Sequence, residues 1–179
     1  SLGFDELQTI EIIRGIENGV DVSVYCKEEF NAAQMKALRL GLEEKLDVSR
    51  FADAQYDYMQ MEELKQAVRS GMNMDDICNP KFSHSVMREI RLASELNYDL
   101  TRYAKLGYSG EVLRQIRLAK KEDIDLTFFV EDNYDEYQLN EIRLGIHSCV
   151  DITKYLLHEY NGKQMEQIRL GLEEGIDVT

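Results

Sequence analysis

Five arginines recur in this chain at a spacing that could present a row of positive charge. They are separated by 26 residues or a multiple of 26, and one lysine fills the gap: Arg39, Lys65, Arg91, Arg117, Arg143 and Arg169. A row of guanidinium groups could bind the carboxylates or phosphates of an acidic ligand. In a second interpretation, each arginine lays its stem across a neighbouring copy and finds an acceptor there, such as an aspartate or a helix C-terminal carbonyl. Nearby glutamates favour this second interpretation.

A row of leucines directly follows the arginines. Its members are Leu40, Leu92, Leu118, Leu144 and Leu170, with Arg14 and Gln66 in two other copies. On a helix turning by about 100° per residue, this position lies roughly opposite the stripe that we expect to be buried. An apolar row on a polar face is typical of a partner-binding groove, although an adjacent segment could also cover it. The leucines and the arginines are therefore the candidate partner-binding residues.

Other residue types that carry chemistry do not converge in the sequence. His84, His147 and His158 occupy three different positions of the repeat and lack metal-ligand spacing. No Ser, His and Asp arrangement predicts a nucleophile, and no Gly-rich phosphate loop is present. An aspartate or asparagine recurs once per copy, which suits turn capping better than Ca²⁺ binding. We expect no enzyme activity, no metal and no cofactor.

A 26-residue repeat positions both rows. Seven copies begin near Asp5, Asn31, Asp57, Ser83, Ser109, Asp135 and Asn161, and the last copy is incomplete. All seven residues are good helix N-caps, and Gln follows three residues later in five copies, which predicts capping boxes. An aromatic residue before each cap and an apolar residue four after it predict a hydrophobic staple, which only Thr9 breaks. Each copy should thus begin with a long helix of about fourteen residues.

The second half of each copy carries helix-stop and turn signals. A Gly or Ala stands ten residues after every cap and indicates a close contact. Each helix should end near a residue that suits the left-handed conformation: Gly19, Lys45, Gly71, Asn97, Asp123, Cys149 or Gly175. A second cap, from Ser23 to Thr179, then opens a short helical segment, which Pro80 limits to a single turn in one copy.

These signals predict an all-α fold, a right-handed α-solenoid of seven helix–turn–short-helix repeats. We expect residues 1–179 to form one array, as a fragment of a longer chain. No stretch alternates with a period of two, so no sheet is predicted. The uncapped ends of such an array could associate head to tail.

The motif QMxxIRLGLExGxDV, clearest at 34–49 and 164–179, resembles a tandem helical repeat of uncharacterised gut Firmicutes proteins. The resemblance covers the whole chain and is weaker at 60–75, where Lys65 replaces the arginine. It implies a helical array and carries no activity, ligand or site residue. In shape the unit is similar to the leucine-rich variant repeats, an analogy of architecture that implies no function.

Charge and composition narrow the class of function. A net charge of −13 argues against binding to nucleic acid or to an anionic membrane surface. Three cysteines without a CxxC motif, and no signal or membrane-spanning segment, favour a cytoplasmic location. We expect a non-enzymatic scaffold that binds a protein or peptide on the long-helix face. The alternative is a passive spacer between domains outside this sequence.

Overall fold

A computed structural model of the chain describes residues 3–176, and within that range every regular element is helical. The all-α prediction is confirmed. The longer helices are α1 (Glu6–Glu17), α2 (Ala32–Glu43), α3 (Tyr58–Arg69), α4 (His84–Ser94), α6 (Gly110–Lys121), α8 (Glu136–His147) and α9 (Gly162–Glu173). Short α-helices are α5 (Thr101–Lys105) and α7 (Thr127–Glu131). The cap predicted at Thr179 lies outside the described residues.

The chain divides into two compact units, residues 1–94 and residues 95–179. In the first unit α1 packs on α2, α2 on α3, and α3 on α4. In the second unit α6 packs on α8, and α8 on α9. Consecutive long helices are therefore neighbours within each unit, as stacking of repeats requires.

Side-chain capping begins the long helices as the sequence predicts. Capping boxes are complete in α1, α2, α3, α8 and α9, the five copies with Gln three residues after the cap. At Asp5, the carboxylate accepts a hydrogen bond from the Gln8 N–H, and Gln8 Oε1 accepts one from the Asp5 N–H, each at 2.8 Å. Ser109 accepts the Val112 N–H at 3.3 Å, but valine cannot return the bond.

The glutamines of these boxes also join successive copies, which sequence reasoning missed. The Gln8 side chain donates its Nε2–H to the carbonyl of Phe30, the aromatic residue before the next cap, at 2.7 Å. The same bond recurs at 2.7 Å in three more pairs: Gln34–Tyr56, Gln60–Phe82 and Gln138–Tyr160. One side chain thus caps its own helix and fixes the entry of the following one.

Apolar side chains at the predicted staple position, and at the position seven after the cap, form the interior. The residues four after the caps of α2, α3, α4, α6, α8 and α9 are fully buried: Met35, Met61, Met87, Leu113, Leu139 and Met165. Leu38, Leu64, Ile90, Ile116 and Ile142, seven after the caps, are buried as well. Removal of these apolar side chains from water stabilises the fold by about 25 cal/mol per Å² of buried surface.

Each long helix ends in the predicted left-handed residue, at all seven positions from Gly19 to Gly175. In α1 the Val20 N–H donates to the Gly15 carbonyl and the Gly19 N–H to the Ile16 carbonyl, which is the Schellman arrangement. The helices span 11 or 12 residues, shorter than the expected fourteen, because the last two residues belong to this turn.

The short segments differ from the prediction in what caps them. The aspartate or asparagine two residues earlier accepts the backbone N–H of the predicted cap residue, as Asp21 does from Ser23 at 3.0 Å. Three segments are 3₁₀ turns: Val22–Val24, Met74–Asp76 and Ile152–Lys154. The single turn predicted before Pro80 is confirmed, but two copies without proline form the same turn, so proline is not its cause.

Candidate functional site

The arginine row lies between successive long helices in buried ion pairs. The side chains of Arg39 and Glu11 are only 7% and 8% exposed. Arg39 Nε donates to Glu11 Oε2 at 2.8 Å, and Nη1 donates to Glu43 Oε1 at 2.5 Å. Burial would lower the pKa of Arg39, but the hydrogen bonds to both glutamates outweigh it and raise that pKa. This guanidinium is buried and commits its Nε and one Nη1 donor within the protein.

The same geometry recurs in the other unit. Arg169 Nε donates to Glu141 Oε2 at 2.8 Å, and Nη1 donates to Glu173 Oε1 at 2.7 Å. In each pair the first acceptor stands six residues after the cap of the preceding copy. The acceptor is therefore a row of glutamates, whereas the sequence suggested the aspartate row or a helix C-terminus.

Where the preceding copy lacks that glutamate, the cation bonds to other acceptors. Ala37 occupies the acceptor position before Lys65, and Lys65, only 2% exposed, pairs with Glu62 of its own helix at 2.8 Å. Before Arg143 the acceptor is Gln115, at 3.3 Å, and Glu122 supplies the charge at 2.6 Å. Arg91 bonds to Glu63 at 3.1 Å, and Arg117 is half-buried.

The predicted crossing of a stem over the small position is present at Gly41. A Cβ added there would lie 3.4 Å from Lys65 Cδ of the next copy. At Gly15 and Gly145 a tyrosine instead fills the space, because an added Cβ would overlap the hydroxyl of Tyr25 or Tyr155.

The leucine row is the more accessible of the two candidate rows. Leu40, Leu92, Leu118 and Leu144 are half-buried, and Leu170 is 39% exposed. In the second unit α6, α8 and α9 are successive neighbours, so Leu118, Leu144 and Leu170 follow one another without interruption. In the first unit Gln66 separates Leu40 from Leu92.

The aspartate row acts as a set of turn caps. Hydrogen bonds donated by the Ser or Thr two residues later lower the pKa of five carboxyl groups: Asp21, Asp47, Asp99, Asp125 and Asp151. Within residues 3–176 no group of three or more His, Cys, Asp and Glu is placed to hold a metal ion.

A groove of about 780 Å³ lies along the N-terminal halves of α6, α8 and α9. Tyr137 lines this groove, and its side chain is 69% exposed. Gly162 lies against the Tyr137 backbone, since an added Cβ would be 3.2 Å from the Tyr137 carbonyl carbon. The sequence analysis did not predict this groove. A signal was present, because a tyrosine two residues after the cap occurs in one copy only.

No family model, curated protein or solved structure matches the chain. None of the helices in the described range has the length and apolar character needed to cross a bilayer. The two rows and the groove are therefore the features from which a function can be inferred.

Proposed function

We propose that this chain is a non-enzymatic interaction scaffold, a right-handed α-solenoid of seven 26-residue copies that binds a protein or peptide on its long-helix face. The partly exposed leucine row carries the proposal. Half-buried leucines on an otherwise polar helix face leave apolar area in water, and such area marks interaction surfaces. In the second unit the row continues over three adjacent helices.

The buried arginines support the architecture in this proposal. An arginine that bonds a glutamate of the preceding copy holds two helices in one register, as Arg39 does with Glu11. The side chain of Arg39 is only 7% exposed, so the leucines beside it are the better candidates for ligand contact. These arginine–glutamate contacts would stabilise a passive spacer equally well, because a spacer needs stacked helices and no binding surface.

Selection of random peptides by phage display on the immobilised protein tests the proposal. We expect selected peptides to bind the wild type and to lose binding to the double variant Leu118→Glu/Leu144→Glu, because charge would enter the apolar row. Both leucines are half-buried, so circular dichroism and thermal melting should confirm that the variant folds.

Gln66→Glu is the matched control, since it places the same charge at the same position of α3 where the row is already polar and exposed. Binding should survive this change. Peptides that bind the leucine variant as well as the wild type would contradict the proposed surface, and a selection that yields no binder would favour the spacer.

A further inference from the structure

The groove beside Tyr137 has an excess of negative charge. Five carboxylate residues and two cationic residues line it, which leaves three negative charges. Glu141 is engaged by Arg169 and by the Asn140 amide, each at 2.8 Å. Asp135 is the N-cap of α8.

Two of the remaining carboxylates are available to a ligand. Glu136 and Glu166 are half-buried, and no ion pair joins either of them to another described residue. Glu111 lies 3.9 Å from Arg114 in an exposed pair that contributes little. Unpaired carboxylates in a concave surface focus a negative potential that attracts cations.

Tyr137 adds an aromatic face to the same groove. Among the described residues no ring or cation stacks on it, so its π-face is open. A lysine or arginine side chain placed over such a ring gains a cation–π interaction. Gln115 lines the groove as well; its Oε1 accepts from Arg143 Nε at 3.3 Å, which leaves its Nε2–H groups to donate to a peptide carbonyl.

Two positions that line the groove vary freely from copy to copy. Position two after the cap carries Leu7, Ala33, Met59, Ser85, Glu111, Tyr137 or Lys163 in successive copies. Gly162 occupies a position that holds Glu, Ala, Tyr, His or Gly. Because folding sets neither position, their combination at α8 and α9 is free to serve binding.

We infer that this groove binds a basic peptide segment, with a lysine or arginine side chain over the Tyr137 ring between the carboxylates of Glu136 and Glu166. Positions two, five and nine after the cap lie within about 60° of one another on a helix. The groove is therefore on the leucine face, and the inference rests on the proposed function while naming the partner's chemistry.

Fluorescence anisotropy with a labelled octapeptide of alternating lysine and glycine tests the inference. The wild type should bind this peptide and should not bind the same peptide with glutamine in place of lysine. Tyr137→Ala should raise the Kd roughly three- to tenfold, the range expected for a cation–π contact. Glu136→Gln/Glu166→Gln should raise it by about tenfold or more.

Matched controls separate the groove from general acidity. Met59→Ala removes an exposed side chain from the same position of α3, and Glu17→Gln/Glu29→Gln removes two exposed carboxylates from the other unit. Both should leave the Kd unchanged. Equal binding of the glutamine peptide, no binding by the wild type, or equal weakening by the controls would overturn the inference.

The outcome is distinguishable from failure of the proposed function. Phage-selected peptides that depend on Leu118 and Leu144, together with no binding of the lysine peptide, would reject the groove alone. Binding of the lysine peptide that depends on Tyr137, together with selected peptides indifferent to the leucines, would reject the leucine row alone.

Discussion

The contact between Gly145 and Tyr155 allows a quantitative test of how a short segment docks on its long helix. The Tyr155 hydroxyl donates a hydrogen bond to the Glu141 carbonyl at 3.2 Å, and it occupies the space beside Gly145. A Cβ at Gly145 would overlap that hydroxyl and would lie 2.9 Å from Ile152 Cγ2. Gly145→Ala is therefore the informative change.

Two opposing effects decide the sign of this substitution. Alanine stabilises a helix interior by about 1 kcal/mol relative to glycine. Overpacking costs about 1–3 kcal/mol. We expect a cost near the upper end of this range, because the added Cβ displaces a hydroxyl that would also lose its hydrogen bond. We expect Gly145→Ala to lower the free energy of unfolding by about 1–2 kcal/mol. Tyr155→Phe alone should cost about 1 kcal/mol through its hydrogen bond.

In the double variant the hydroxyl is absent, and the added Cβ would meet the ring Cζ at 3.1 Å, which a small shift relieves. The cost of Gly145→Ala should then fall by about 1 kcal/mol or more, which a double-mutant cycle measures as coupling. Urea unfolding followed by far-UV circular dichroism gives all four free energies.

Gly15→Ala should behave like Gly145→Ala because Tyr25 fills the same space. Gly41→Ala should cost less, since its neighbours are a Val48 methyl and the flexible stem of Lys65. If Gly145→Ala is neutral or stabilising, or if the double-mutant cycle shows no coupling, the tyrosine hydroxyl is not the reason why this position holds a small residue.

Three further changes test other parts of the fold. Lys45→Gly should stabilise the protein by about 1 kcal/mol in urea unfolding, because lysine is held there at φ 60°; an unchanged midpoint would contradict this. Arg39→Met should lower the free energy of unfolding by about 2 kcal/mol, because Glu11 then keeps only its pair with the exposed Arg14. Lys65→Met should lower it clearly less, because Glu62 is more exposed; similar losses in thermal melts would refute the distinction. Burial raises the pKa of three tyrosines to about 12: Tyr25, Tyr56 and Tyr155. Their contribution to stability is complete below the unfolded pKa of about 10 and is lost as pH rises through 12, so phenolate absorbance should show at least these three groups titrating late.

The features that sequence predicted correctly are those set within one copy. A cap and its glutamine lie three residues apart, and a helix stop needs only its own last turn, so local chemistry is sufficient. Even Lys45 and Cys149, which have no intrinsic preference for positive φ, adopt it because the Schellman bonds of the turn require it.

The features that sequence missed depend on how one helix is aligned with the next. Nothing in the spacing of Arg39 alone identifies Glu11 as its acceptor, since helix packing sets which faces meet. A signal was nevertheless present, because Ala37 in place of the glutamate coincides with Lys65 in place of the arginine. The Gly–Tyr pairs ten residues apart, as at Gly15 and Tyr25, carry similar information.

The spacing of the leucine row makes a prediction about its ligand. Helices that pack at roughly 8–10 Å place successive leucines about that far apart. A polyproline II helix advances about 9.3 Å in its three-residue turn, so side chains at every third position would meet Leu118, Leu144 and Leu170 in turn. In a β-strand, side chains on one face recur after about 6.6 Å, which does not match the spacing of the leucines.

Peptides selected on the leucine row should therefore be enriched in proline and should carry apolar residues at every third position. The enrichment is measured by sequencing the selected pool against the pool recovered on Leu118→Glu/Leu144→Glu. A pool without that period, or with a period of two, would mean that the leucines do not act as a row. Recognition would then be assigned to the Tyr137 groove, because its tyrosine occurs in one copy and a single anchor imposes no period on its ligand.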